Sequence, residues 1–302
     1  MKNMNDHNCE TVIYEGQVGD LKPDKNLECV NAHSTAKLIQ VLPVYMLGID
    51  QKYSLSEPEL AIMSASHLGQ DVHIQVLKSL ITKLDIDENQ VCIPKVAPTG
   101  RLARRYWKLR HGQPSKFYHQ CMGNHLALMA IQRELTGSVN GYADFQSATQ
   151  NLLLNVAQKI YALPHTPEMG RDSCGAPTYM VPLSNIAAAY KNLSDPPIYL
   201  SDKMRRAVQK NYKAIKDNPL ILEGDGCLST VLTSSNGIIA KTGAGGLLAI
   251  GIQGLGCGIA IQSHQRNFVS VAQTAKRVLR FLGHQDEVLE RQLTVIANQK
   301  SR

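Results

Sequence analysis

After Asn218-Pro219 the character of the chain changes. Five short apolar runs, at residues 220–223, 228–233, 237–241, 247–252 and 258–262, follow one another with glycine-bearing turns between them. Runs this short, rich in Ile, Leu, Val and Thr, read as strands, because glycine enters the tight-turn conformations that antiparallel neighbours need at little steric cost. The pattern predicts an antiparallel meander. Two stretches of helical periodicity follow, at 269–282 and 287–297, and can lie across one face of that sheet. Near the amino terminus, 10–14 and 27–30 read as two further short strands at a sheet edge, joined by the polar connector 15–26. No internal repeat or low-complexity tract interrupts this plan.

Between the two strand-forming ends the periodicity is helical. Residues 34–49 and 57–84 carry apolar side chains at helical spacing, the second stretch broken by Ser64-Ala65-Ser66-His67-Leu68-Gly69. A break of this kind exposes side chains to a cleft. A Pro/Gly-rich connector spans 94–114, and helical readings resume at 125–135, 146–162 and 183–193. The expected fold class is therefore α/β, of the α+β kind. An antiparallel sheet from 1–33 and 218–302 is flanked by helices, and 34–217 forms a mostly helical middle of one domain spanning 1–302.

Composition narrows the function classes. The 302 residues are 43% hydrophobic and 19% charged, enough to bury a large core. No run is long and apolar enough for a bilayer span, and the first ten residues lack a secretory apolar stretch, so a cytoplasmic, soluble protein without membrane contact is expected. Seven cysteines, an odd number with no C-x-x-C pair, read as reduced thiols rather than a disulfide framework. The net charge of +7 permits an acidic partner without specifying one. The densest basic run, 101–116, interleaves Arg104, Arg105, Lys108 and Arg110 with Tyr106 and Trp107. It reads as a solvated helix face in preference to a nucleic-acid surface.

The chemistry-bearing residues lie on either side of this frame. Ser34 stands three residues before Lys37, so on a helix the two side chains face each other and a neutral amine can take the hydroxyl proton. Lys241-Thr242-Gly243 follows a strand-like run, and S-x-x-K with K-T-G is the pair found in β-lactamases and penicillin-binding proteins. A Ser-x-Asn, the third element of that set, is matched literally by Ser138-Val139-Asn140. The bland alternatives are an exposed helical Ser/Lys pair, a surface lysine beside a hairpin, and a glycine-flanked loop. Cys121, His125, Asp172 and Cys174 supply enough donors for a zinc site if their loops converge, although buried thiols are the simpler reading without C-x-x-C spacing.

Longer motifs are more specific. Leu60-Ala-Ile-Met-Ser-Ala-Ser66-His67, Cys121-x-Gly123-x-His125, Asp172-Ser-Cys174-Gly-Ala-Pro-Thr178, Val181-Pro-Leu-Ser184, Ala240-Lys241-Thr-Gly243-Ala and Gly254-Leu-Gly-Cys-Gly-Ile-Ala260 run collinearly. Together they resemble the Rhizobium etli type of L-asparaginase, the L-asparaginase II family, over roughly 34–283. The resemblance implies a fold like that of serine β-lactamases and penicillin-binding proteins. It also implies hydrolysis of L-asparagine to L-aspartate and ammonia, and a homodimer. It implies two Ser/Lys dyads, Ser34 with Lys37 and Ser66 with Lys241, so that Ser66 replaces Ser138 as the third element. Asp172, His67 and Gly243 fall on the substrate side, and a zinc falls on Cys121, Asn124 and Cys174.

The chain departs from the family at His33 (arginine in the family), Gln70 (glutamate), Asn124 (lysine), Ser173 (glycine) and Gly245 (glutamate). An amide is a poor zinc donor, so a metal beside Asn124 needs His125, a carboxylate or water to complete its shell. Two alternatives stand beside this reading, the first left open by the dyads alone and the second motivated by the changes at His33, Asn124, Ser173 and Gly245. One is hydrolysis of glutamine, a small peptide amide or a β-lactam; the other is a catalytically silent ligand-binding member of the same fold.

Overall fold

The computed structural model describes residues 10–15, 29–263, 265–284 and 286–298. Four strands, β1 (Glu10–Glu15), β5 (Ile238–Gly243), β6 (Leu247–Ile252) and β7 (Cys257–Ser263), form one antiparallel sheet in the order β1-β7-β6-β5. β6 pairs with both neighbours and β1 closes one side, with Glu10 opposite Ser263. A second, three-stranded antiparallel sheet has the order β2-β4-β3, from Cys29–Asn31, Pro177–Pro182 and Glu168–Arg171. Of the expected strand 27–30, residues 27 and 28 lie outside the described residues, as does most of the connector 15–26 and Cys9. The six described cysteines form no disulfide with one another.

The larger sheet is buried on both faces, and the period-two alternation of its strands shows how. Ile238, Ala240, Leu248, Ile250, Ile259 and Ile261 join the apolar layer under α12 (Leu228–Ser234), α13 (Phe268–Phe281) and α14 (Glu287–Ala297). Ile239, Leu247, Ala249 and Ala260 point the other way, into the main core beneath α9 (Leu183–Ser194). Two glycines set the α9 contact. A Cβ on Gly258 would lie 1.9 Å from the Ala187 carbonyl oxygen, and one on Gly251 would lie 2.2 Å from that of Tyr190. Backbone atoms cannot yield like side chains, so the helix lies this close only because both positions lack a side chain.

The helical part begins with a 3-10 turn, His33–Ala36, followed by α1 (Lys37–Gln40), α2 (Leu42–Met46) and α3 (Ile49–Lys52). The single helix expected over 34–49 is thus divided. Pro43 lacks an N–H and is tolerated in the first turn of a helix, where that donor has no intrahelical partner, so α2 starts afresh there. α4 (Glu57–Met63) opens with a capping box in which the Ser56 N–H donates to Glu59 Oε2 at 2.7 Å. The break expected at 64–69 separates it from α5 (Asp71–Leu84).

α6 (Arg101–Leu109) forms in the Pro/Gly-rich connector with no buried residue, and is followed by α7 (Met122–Thr136), α8 (Ala148–Ile160) and α10 (Asp202–Asp217). No described helix is long and apolar enough to cross a membrane.

Two expected strands are helices. Residues 220–223 fall in α11 (Pro219–Leu222) and its C-cap, and 228–233 in α12. Pro219 with its fixed φ starts the first. In the second, Leu228, Val231 and Leu232 stand at i, i+3 and i+4, and all three are buried against the sheet. The outermost meander strand is therefore β5, and its free side receives the segments that carry the candidate chemistry.

Candidate active site

Alternation along β5 puts Ile239, Lys241 and Gly243 on the side of the helical body, and Ala240 and Thr242 on the side of α12. Lys241 is completely buried. The 3-10 turn carrying Ser34 packs on the end of β5, where a Cβ on Gly243 would come 3.2 Å from Thr35 Cγ2 and 3.3 Å from the Ala32 carbonyl oxygen. His33, just before Ser34, holds φ +45°, a costly conformation for a residue with a Cβ. Two contacts fix it there: its N–H donates to Asn31 Oδ1 at 2.8 Å, and its Nδ1 lies 3.2 Å from Asp172 Oδ1. The histidine that replaces the family's arginine at this position thus contacts the expected substrate-side carboxylate.

Ser66 arrives from the broken segment after α4. Its N–H donates to the Leu222 carbonyl and that of Leu68 to the Glu223 carbonyl, both at 2.9 Å, so the start of the α11–α12 connection holds the serine loop. α7 approaches from below. A Cβ on Gly123 would sit 2.1 Å from the Ile62 carbonyl oxygen, so only glycine lets Cys121, at the N-cap of α7, reach this loop.

These elements converge on Lys37, which is 2% exposed and donates to Ala65 O at 2.9 Å, Ser66 Oγ at 2.9 Å and Cys121 Sγ at 3.2 Å. An ammonium has three donors, and these contacts use all three. The observed bond therefore joins the lysine of the first expected dyad to the serine of the second. Ser34, 9% exposed, sits one turn before Lys37, with the Lys37 N–H donating to the Ser34 carbonyl. The Lys241 amine donates to the Thr242 carbonyl at 3.2 Å.

Burial pulls the Lys241 amine down to about 8, with the Lys37 charge pushing the same way and Glu223 opposing. An amine with that affinity exchanges protons near neutrality, as an acid/base group must. The hydrogen bond from Cys174 holds the Cys121 thiol well below its ordinary range against the effect of burial, with Lys37 and His119 assisting, while Cys174 is raised. Burial pulls the Asp172 carboxyl up, but His33 and the Ser173 N–H, 2.8 Å away, outweigh it and leave the carboxyl below its usual value.

The remaining expected residues sit as follows. His67 is completely buried behind Ser66, accepts from the Gly69 N–H at 3.1 Å and stacks on His73 with centroids 5.1 Å apart. Burial keeps its ring well below the ordinary histidine value, so it is neutral. Ser138 and Asn140 lie in an exposed loop after α7, where the Asn140 N–H donates to Ser138 Oγ at 3.2 Å.

Asn124 is buried, with its amide 3.5 Å from the Met63 carbonyl oxygen. Among the described residues no cluster of three or more His, Cys, Asp or Glu side chains is placed to hold a metal. Cys121 already faces an ammonium, and His125 Nδ1 is 2.7 Å from the Tyr142 hydroxyl. Two thiols and an amide aimed at a carbonyl do not make a four-coordinate zinc site, so no step is routed through a metal.

Sequence reasoning missed three participants. Glu223 accepts from Thr242 Oγ1 at 3.0 Å, Ser229 Oγ accepts from the Thr242 N–H at 2.9 Å, and His119 Nδ1 accepts from the Cys121 N–H at 3.1 Å. Reading 220–223 and 228–233 as strands put Glu223 and Ser229 on a sheet surface. The Gly224-Asp225-Gly226 run after Glu223 is the one local sign of a turn there.

The sequence profile of L-asparaginase II matches residues 7–302, almost the whole chain. The chain belongs to the L-asparaginase II family. No curated protein matches it. Within this family member, the motifs at Ser34, Ser66, Cys121, Asp172 and Lys241 come from five separate chain segments around one buried cluster.

Proposed function

We propose that the protein is an amidohydrolase that converts L-asparagine to L-aspartate and ammonia by acyl transfer to a serine. The observation that carries this reading is the cluster of two buried amines and two nearly buried hydroxyls, with Lys37 bonded to Ser66 at 2.9 Å. We further infer that the larger sheet and its helices are a β-lactamase-like fold. Lys241 on the outermost meander strand, with the Ser34-x-x-Lys37 turn packed against it, supports that inference.

In the reaction, the ionised Asp172 holds the substrate's α-ammonium. Ser34 Oγ attacks the side-chain carbonyl carbon, and backbone N–H groups of its turn stabilise the oxyanion. The serine proton passes through Ser66 to Lys37. Lys241 beside it keeps two ammonium charges from coexisting easily, so one amine is free to accept. Collapse breaks the C–N bond as the departing nitrogen takes a proton back, and ammonia leaves. Water then attacks the β-aspartyl ester with the same amine as base, releasing aspartate.

A second reading makes Ser66 the nucleophile, because the lysine contact seen in the structure is to its hydroxyl. Peptide mapping of an acid-quenched acyl-enzyme separates the two: the first places the aspartyl mass on the Ser34 peptide and the second on the Ser66 peptide. Ammonia release from asparagine, glutamine and a chromogenic β-lactam tests the substrate. The proposal expects asparagine to be preferred, and hydrolysis of the β-lactam alone would refute it. The homodimer belongs to the same proposal, with molar mass in solution, measured by light scattering, as its check.

A further inference from the structure

One short segment ties the two halves of the cluster together, and its central residue has no role in the reaction described above. The carbonyls of Leu222 and Glu223 accept from the Ser66 and Leu68 N–H groups, both at 2.9 Å. The Glu223 carboxylate turns the other way. Its Oε1 accepts from Thr242 Oγ1 at 3.0 Å and its Oε2 from the Ser229 N–H at 3.1 Å. Thr242 is held again by Ser229, whose Oγ accepts the Thr242 N–H at 2.9 Å and lies 3.1 Å from Thr242 Oγ1. The Thr242 carbonyl is the atom to which Lys241 donates. Glu223 thus grips the Ser66 loop by its backbone and the Lys241 strand by its side chain.

The segment is itself anchored. Gln70 Oε1 accepts from the Asp225 N–H at 3.1 Å, and Thr230 Oγ1 from the Gly224 N–H at 3.2 Å. Gly224 has φ +141°, and a Cβ there would meet Gln70 Oε1 at 2.7 Å. The glutamine that departs from the family's glutamate at position 70 therefore braces this connection. A carboxylate accepting from an N–H and a hydroxyl is a strong, oriented contact. Among the described residues, Glu223 after α11 is the carboxylate among the leading charged influences on Lys241, beside Lys37 on α1, Cys121 before α7 and Cys227 before α12.

We propose that Glu223 is a positioning residue that sets the Ser66 to Lys241 geometry. The catalytic part of this proposal rests on the acyl-transfer reading; the positioning part does not. Glu223 touches no reacting atom. It acts through Thr242 and the peptide bonds on either side of it.

The test compares the full-length protein with Glu223→Gln and Glu223→Asp. Glutamine keeps an acceptor for Thr242 and removes the charge; aspartate keeps the charge and shortens the reach. Two readouts are taken: the pH profile of kcat and KM for asparagine, and the pH titration of the Lys241 13Cε resonance without substrate, assigned by its loss in Lys241→Arg. Equal melting temperatures confirm that the variants fold.

In Glu223→Gln the Lys241 midpoint is expected to fall, because the carboxylate that favours its charged form is gone. The kcat is expected to fall about tenfold or more at each variant's optimum, with KM changed less than about threefold, the split of a group acting on the chemical step. Glu223→Asp retains the midpoint and loses part of kcat. A Glu223→Gln protein with wild-type titration and wild-type kcat overturns the proposal, and a purely structural role would leave the midpoint in place. If wild-type protein releases no ammonia, the acyl-transfer reading fails separately. The titration then decides the positioning role alone, supporting it if the midpoint moves and overturning it if it does not.

Discussion

Replacing Lys241 with methionine should make the protein more stable and inactive. The side chain is completely buried, and its amine is pulled from 10.5 to about 8 chiefly by that burial. At ~1.4 kcal/mol per unit, the lysine costs the folded state roughly 3–4 kcal/mol while it must stay protonated. Methionine has similar volume and no charge, so it fills the space without that cost and loses only the bond to the Thr242 carbonyl.

The pH dependence carries a defined sign. Between about pH 8 and 10.5 the unfolded chain keeps a proton that the folded chain has released, so wild-type stability gains with pH across that window. The advantage of Lys241→Met is therefore full below pH 8 and fades toward pH 10.5. Guanidinium denaturation at pH 7 and pH 10, with both proteins side by side, measures it. A variant less stable than wild type at pH 7, or an advantage that does not change with pH, would refute the reasoning. The trade is the one expected of a site where function requires a buried charge.

Gly258→Ala should destabilise the fold by about 3 kcal/mol in chemical denaturation, because a Cβ 1.9 Å from the Ala187 carbonyl oxygen forces α9 off the sheet. Asp172→Asn should raise KM for asparagine about tenfold or more and change kcat less, since it removes the charge that the proposed reaction places against the α-ammonium; steady-state kinetics show the split. Dialysis against a chelator should leave ammonia release and melting temperature unchanged, because the thiols and Asn124 do not complete a zinc shell. Loss of activity restored by zinc alone would contradict that assignment.

Much of this architecture is legible in the sequence, and the gaps have physical causes. β6 and α14 stand where the runs 247–252 and 287–297 predict them, and β5, β7 and α13 differ from expectation only at their ends. Short runs decide less. Leu228-Ser-Thr-Val-Leu-Thr is rich in β-branched residues, yet its i, i+3, i+4 apolar face settles against the sheet, so tertiary packing overrides propensity.

α10 escapes notice because Lys, Arg and Asp dilute its apolar stripe, although Ala207, Val208, Ala214 and Ile215 are all buried. β3 and β4 escape because Gly170, Pro177 and Pro182 read as loop signals. In the site, Ser34, Ser66, Lys37 and Lys241 can be named from motifs. That Lys37 bonds Ser66 cannot, because the two meet only when α4, α7 and the start of the α11–α12 connection fix the serine loop. Glu223 carries no motif at all, and its importance lies wholly in what folding brings against it.

The most direct test of the central claim is ammonia release from L-asparagine by wild-type protein and by Ser34→Ala, measured at pH 7 and pH 9. The account predicts turnover that increases with pH as the Lys241 amine loses its proton, and none above background in Ser34→Ala. Full turnover in Ser34→Ala would contradict it, because that variant has no hydroxyl to acylate at the position assigned to the nucleophile.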